Sequence, residues 1–185
     1  HNSLMVFDMP YNTYKDEKNA LLNAKKIIKK TKSDAVKLEG GSKIKDIVKH
    51  LIKNKIPVLG HLGIMPQSVR GKFKSKGKTE RERTKILKDA KVLEKLGVFA
   101  IVLECIEKSL AKKITNEVKV PTIGIGSSVY CDGQILVTDD LIGLTNSKIK
   151  FVKKYINISN NIATAVKKFK QEVKLKKYPT KKYSY

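Results

Sequence analysis

Apolar positions along the chain switch between two spacings. "SLMVFDMP" (residues 3–10) reads as a short buried strand. It is followed over about 15–30 by a helical pattern with Ala20, Leu21, Ala24, Ile27 and Ile28 on one face. "DAVKLEGG" is the next strand, and Ile44, Ile47, Val48, Leu51 and Ile52 mark a helix over about 43–53. "IPVLGHLG" is the third strand, followed by a polar connection containing "GKFKSKGK". Ile86, Leu87, Ala90 and Leu93 then form the apolar face of a helix over about 79–96, with Gly97 as its stop. "VFAIVLEC" and "VPTIGIGS" are the fourth and fifth strands, separated by a helix over about 107–118. A short sixth strand is expected at residues 135–137. Helices over about 148–155 and 160–176 precede the polar tail "YPTKKYSY".

Apolar strands alternating with amphipathic helices predict an α/β fold with a parallel sheet. Repeats, linkers and a second domain are missing, so residues 1–178 read as one barrel-type domain and 179–185 as a surface tail.

The strands are interrupted by polar residues at their C-terminal ends. In "AVKLEGG", side chains alternate faces, so Lys37 and Glu39 share one face while Val36 and Leu38 share the other. Asp8 ends the first strand, His61 the third and Glu104 the fourth, and Gly124, Gly126 and Ser127 close the fifth. In a parallel barrel these ends meet at one rim, where active sites lie. Each residue also has a plainer reading. Asp8 before Met9-Pro10 can be a turn former, Lys37 and Glu39 a structural ion pair, His61 a core histidine, and the glycines a tight turn. A carboxylate after "FAIVL" is harder to place without a task, because burying it alone is costly. Cys105 points away from Glu104 on this reading and packs.

Composition changes the picture in one respect. The 185 residues carry 40 Lys and Arg against 17 Asp and Glu, a formal net charge of +23, which raises the possibility of a nucleic-acid surface. Yet only Arg70, Arg81 and Arg83 are arginines, and the lysines spread over every helix rather than forming a stripe. Compositional bias of an AT-rich host accounts for that pattern better, so no nucleic-acid partner is expected. No apolar run reaches the roughly 18 residues a membrane span needs. The two cysteines have neither disulfide-scaffold nor metal-site spacing. A cytoplasmic setting is the default, and the His start with no leader behind it suggests that more chain precedes it.

Asp8 and Glu39 offer hard oxygen ligands, too few to cage Ca²⁺ but suited to Mg²⁺ with water and substrate filling the other positions. Lys37 beside them can hold an anionic group and Glu104 can move a proton, a combination suited to enolate chemistry.

The strings "VKLEGG", "GHLGIMPQSV", "VLEC" and "PTIGIGSSVYCDGQILV" resemble the ketopantoate hydroxymethyltransferase family, in the right order and from Asp8 to nearly the end. The resemblance implies a (β/α)8 TIM barrel using Mg²⁺ and transferring a one-carbon unit from 5,10-methylenetetrahydrofolate to 3-methyl-2-oxobutanoate, giving 2-dehydropantoate for pantothenate synthesis. It implies metal-site roles for Asp8 and Glu39, substrate contacts from Asp8, Lys37 and His61, and a general base in Glu104. It also implies a homo-oligomer, commonly a decamer. The family's first two βα units and their Gly-Asp-Ser segment, a source of a further metal ligand, have no counterpart here, so about six of eight βα units are expected. The connection 70–78 is weakly matched, either a lid or a solvated loop. Two other functions remain: a Mg²⁺-dependent enolate enzyme of the phosphoenolpyruvate mutase and isocitrate lyase type, whose catalytic Cys loop is absent here, or a basic nucleic-acid-binding protein.

Overall fold

The computed structural model describes residues 3–67 and 74–185. Residues 70–73 of the connection 70–78, expected as a lid or solvated loop, therefore lie outside the described residues. The chain divides into two compact units, residues 1–135 and 136–185.

The first unit is a run of βα repeats: β1 (Val6–Asp8), α1 (Glu17–Thr31), β2 (Ala35–Glu39), α2 (Lys45–Lys53), β3 (Val58–Gly63), α3 (Glu80–Leu96), β4 (Ala100–Glu104), α4 (Lys108–Glu117), β5 (Thr122–Ile125) and β6 (Gly133–Gln134). All neighbouring strands are parallel and lie in chain order, β1 to β6. The end strands β1 and β6 each pair on one side only, so the sheet is an open arc, a sector of a (β/α) barrel.

Each boundary has a local cause. Asp16 accepts from the Asn19 N–H to open α1, and Thr79 accepts from the Glu82 N–H to open α3. The Glu82 carboxylate reaches back to the Gly77 and Lys78 N–H groups, completing a variant of the capping box. Gly97, at φ 91°, ends α3 in the left-handed conformation that the sequence anticipates.

The core lies between the sheet and its helices. Val36, Leu38, Val58, Leu62, Ile101 and Leu103 point from the strands into a layer formed by Ala20 and Ala24 of α1, Val48 and Leu51 of α2, Leu93 of α3 and Ile114 of α4. Leu93 fills the notch at Gly60, where a Cβ would come within 2.9 Å of its Cδ1. With one strand face committed to this layer, the alternate residues project from the opposite face, where the polar ones collect.

Some expectations need correction. β1 is half-buried rather than buried, because it is an edge strand. β6 falls at Gly133–Gln134, just before the expected 135–137, although the Ile135 N–H still bonds to the Gly124 carbonyl. No helix separates β5 from β6; residues 126–132 make the crossover directly. Asp132 accepts from the Thr122 N–H and hydroxyl, and the Gln134 amide donates to the Ser128 carbonyl, which tie the turn without a helix.

The second unit contains the short α5 (Thr138–Leu141), not anticipated, and α6 (Ile158–Lys174). Residues 148–155 are not helical: Ile149 and Phe151 alternate, and a single bond from the Val152 N–H to the Ile149 carbonyl forms only one turn. On α6, Ile162, Val166, Phe169 and Val173 form an exposed apolar stripe. The ring of Tyr178 meets Phe169 edge-on, with centroids 5.4 Å apart. No helix among the described residues is long and apolar enough to cross a membrane.

Candidate active site

The strand register brings the polar residues together. Asp8 is level with Lys37, Glu39 with His61, and Gly63 with Glu104, all at C-terminal strand ends and all on the face away from the helices. The five ionisable residues among those singled out in the sequence, Asp8, Lys37, Glu39, His61 and Glu104, therefore share one rim.

They form a connected row. Lys37 Nζ lies 3.0 Å from Asp8 Oδ2 and 2.9 Å from His61 Nδ1. His61 Nε2 lies 2.8 Å from the Ile64 carbonyl and 3.3 Å from Glu104 Oε2. An ammonium can only donate, so Nδ1 must accept and the ring proton sits on Nε2, donated to Ile64 with Glu104 alongside. His61 is 1 % exposed, so its ring has no water to exchange these partners with.

Two backbone features set this geometry. Gly63, at φ 104°, turns the chain so that the Ile64 N–H bonds to the Glu104 carbonyl at 2.9 Å, and a Cβ at Gly63 would lie 2.1 Å from that same oxygen. Cys105 adopts φ 50° directly after Glu104, ending β4 where the carboxylate emerges. The Cys105 carbonyl accepts from the Lys76 N–H, and the Glu107 N–H donates to the Lys76 carbonyl, which anchors the return of the 64–78 connection against the rim. The Cys105 thiol is buried and pushed up to about 11, by burial first and then by the Glu104 charge, which leaves little thiolate near neutral pH.

Glu39 is the electrostatic oddity. The residue is 5 % exposed, and its buried Oε2 has no hydrogen-bond partner. Burial raises its pKa; His61, Lys37 and the Gln67 backbone oppose the rise, and the Asp8 charge adds to it. A buried, partnerless carboxylate oxygen facing a second carboxylate is a place for a cation. No set of three His, Cys, Asp or Glu side chains among the described residues forms a closed metal cage. An ion held here would keep positions for water and substrate.

Several residues went unnoticed in the sequence. Asp89 on α3 is 4 % exposed and accepts from the Ser42 N–H at 3.0 Å and from the Ser42 hydroxyl, pinning the 3₁₀ turn Ser42–Ile44 after β2. Burial tends to raise its pKa, but the bonds from Lys85 and Ser42 outweigh that and hold it below the usual range. Its signal was an acid on the apolar face between Ile86 and Leu93. Tyr14 packs beside the rim; burial raises its hydroxyl pKa and the Glu39 and Asp8 charges add to the rise, against the Glu39 backbone. At β5 the residue level with Glu104 is Ile125; Gly124 instead abuts the Gln134 side chain, and Ser127 donates to the Ile106 carbonyl.

A parallel β/α arc with carboxylates, an imidazole and an ammonium gathered at its C-terminal rim has the build of a barrel enzyme. Residues 1–181 match a family described as ketopantoate hydroxymethyltransferase. A relative from Pelagibacter ubique (strain HTCC1062), named 3-methyl-2-oxobutanoate hydroxymethyltransferase, is 65% identical over 183 residues, 99% of this chain and 71% of the relative. Relatives of the same name from Clostridium botulinum (strain 657 / Type Ba4) and Pyrobaculum aerophilum are 45% and 47% identical, with 68% and 70% of their lengths covered. The chain belongs to the ketopantoate hydroxymethyltransferase family of transferases.

Proposed function

We propose that the chain transfers a hydroxymethyl group from 5,10-methylenetetrahydrofolate to 3-methyl-2-oxobutanoate in the cytoplasm, forming 2-dehydropantoate for pantothenate biosynthesis. The observation that carries this reading is the pairing of a buried, partnerless Glu39 oxygen with Glu104 on the same rim.

Glu39 and Asp8 would hold Mg²⁺, directly or through water, and the ion when bound polarises the 2-oxo group and so acidifies the neighbouring C–H. Lys37 pairs with the substrate carboxylate, exchanging part of its contact with Asp8 for it. Glu104 takes the proton from C3 as general base. His61, with Lys37 on its Nδ1 and Glu104 beside its Nε2, keeps both side chains in register with the substrate. The methylene bridge of the folate opens by breaking its C–N10 bond, N10 taking the proton removed from C3. The C3 carbanion equivalent attacks the resulting N5 iminium carbon. Water then replaces N5 at that carbon, its oxygen becoming the hydroxyl and its proton passing to N5 as tetrahydrofolate leaves. A homo-oligomer, decameric by family resemblance, is part of this proposal, and the apolar stripe on α6 supports contact with a second copy.

The test is proton exchange at C3 of 3-methyl-2-oxobutanoate in D₂O with Mg²⁺, followed by NMR without folate. The parent chain should exchange, and Glu104→Gln should slow exchange by roughly 10²-fold or more. A parent chain that binds the 2-oxo acid but never exchanges it would overturn the assignment.

A further inference from the structure

The backbone that carries Glu39 runs on into a link with little stiffness of its own. Gly40 follows at φ 134°, and Gly41 stands at the N-cap of the 3₁₀ turn Ser42–Ile44 with no side chain to close it. α2 starts directly after that turn, at Ile44, again without a side-chain cap. Two glycines in series leave Glu39 free to swing unless something outside the link holds it.

Two bonds from elsewhere in the chain do so. The Gly40 N–H donates to the His61 carbonyl at 3.1 Å, on the rim itself. The Ser42 N–H donates to Asp89 Oδ1 at 3.0 Å, and the Ser42 hydroxyl donates to the same oxygen. Asp89 thus supplies the missing cap from 47 residues away in the chain. A Cβ at Gly41 would run into the Asp89 side chain, so a local Ser or Asp cap and this distant one exclude each other. Lys85, one turn earlier on α3, pairs with Oδ2, so the buried Asp89 carboxylate has a partner on each oxygen. Glu39 is the opposite case, equally buried and with nothing on Oε2. The satisfied carboxylate holds the backbone that carries the unsatisfied one.

Resting on the transferase reading, we propose that Asp89 is a positioning residue for the reaction: by anchoring Ser42 it fixes the Gly40–Gly41 link and keeps Glu39 Oε2 aimed at the place for a cation. Asp89 touches the turn and not the substrate, so its effect is read in how tightly the metal is held. Outer partners of this kind are worth about 10- to 100-fold in metal affinity.

The test is uptake of Mn²⁺ alone, read from the free-ion signal in electron paramagnetic resonance, with Glu39→Gln as background and thermal melting alongside. Asp89→Ala should weaken uptake roughly tenfold or more. Asp89→Asn keeps an oxygen for Ser42 and should stay within about threefold of the parent. Ile114→Ala opens a cavity in the core beside α4, and should melt lower yet take up Mn²⁺ as the parent does. Ser42→Ala removes only the hydroxyl bond of a half-buried residue and should weaken uptake about two- to fivefold; it decides the matter if Asp89→Ala does not fold. Parent-like uptake in Asp89→Ala, or in Ser42→Ala where it stands in, overturns the proposal. So does a loss in Asp89→Asn or Ile114→Ala equal to that in Asp89→Ala, or a parent that takes up no more Mn²⁺ than Glu39→Gln. C3 exchange on the 2-oxo acid reports separately on the transferase reading. Exchange with parent-like uptake in Asp89→Ala removes only this inference, and the expected Mn²⁺ pattern without exchange removes only that reading.

Discussion

His61 has both ring nitrogens claimed, Nδ1 by the Lys37 ammonium and Nε2 by a backbone carbonyl. The second partner exists because Gly63 takes a left-handed turn, so the ring's tautomer depends on a residue with no side chain. Gly63→Ala would press a methyl against the Glu104 carbonyl. It should lower the melting temperature and slow C3 exchange together, whereas His61→Gln should reduce exchange with a smaller loss of stability. Glu39 gives a prediction of opposite sign. Its folded pKa is raised, so the native state is penalised once pH exceeds the unfolded carboxylate value of 4.5, and the penalty is full above the folded value. Glu39→Gln should therefore melt higher than the parent at pH 7, with the gain fading as pH falls through the folded value and gone below about 4.5. Mg²⁺ should raise the melting temperature of the parent and leave Glu39→Gln unmoved, read by calorimetry at fixed pH.

Among the elements, α4 depends most clearly on one side chain. Glu107 caps it by accepting from the Ser109 and Leu110 N–H groups, and Arg83 of α3 donates to the same carboxylate at 3.0 Å. Bonds from the Ser109 hydroxyl and N–H, ahead of Arg83, hold the Glu107 carboxyl down at about 2. A depressed acid stabilises above its unfolded value of 4.5 and loses that contribution as pH drops toward 2. Glu107→Ala should cost about 1 kcal/mol at pH 7, the lower part of the range for a lost cap because the carboxylate is partly exposed. Urea melts at several pH values should show that cost shrinking toward pH 2. Leu93→Ala, which empties the notch at Gly60, should cost about 2–5 kcal/mol at any pH.

Helices and strands with a committed apolar face were legible in the sequence. Thr79 and Gly97 bounded α3 closely, and Val36 and Leu38 disclosed which face Lys37 and Glu39 had to take. Elements whose form depends on a partner were not legible. The crossover 126–132 is held by Asp132 and Gln134 side chains, which no periodicity reports. Asp89 passed unnoticed, because its partner Ser42 is distant in the chain and the turn it pins carries no pattern of its own.

At the scale of the whole molecule, the arc of six strands has two one-sided edges, and the chain spans about 70% of the relatives it matches. An apolar helix stripe left in water favours association. Sedimentation of the purified chain should give a mass above 20.8 kDa, and Val166→Asp/Phe169→Asp should move it toward that value. The charge on this surface also sets a working condition: the affinity of the chain for polyanions should fall as salt shortens the screening length, so binding constants need a stated ionic strength.

Both cysteines of the chain, Cys105 and Cys131, are buried, and the Cys105 thiol stays protonated far above neutral pH. The surface is therefore blank to maleimide chemistry at pH 7. One cysteine introduced at an exposed position such as Asn12, which lines a cleft together with Glu39, would be the sole reactive thiol, and a dye attached there could time the arrival of each substrate during a single turnover.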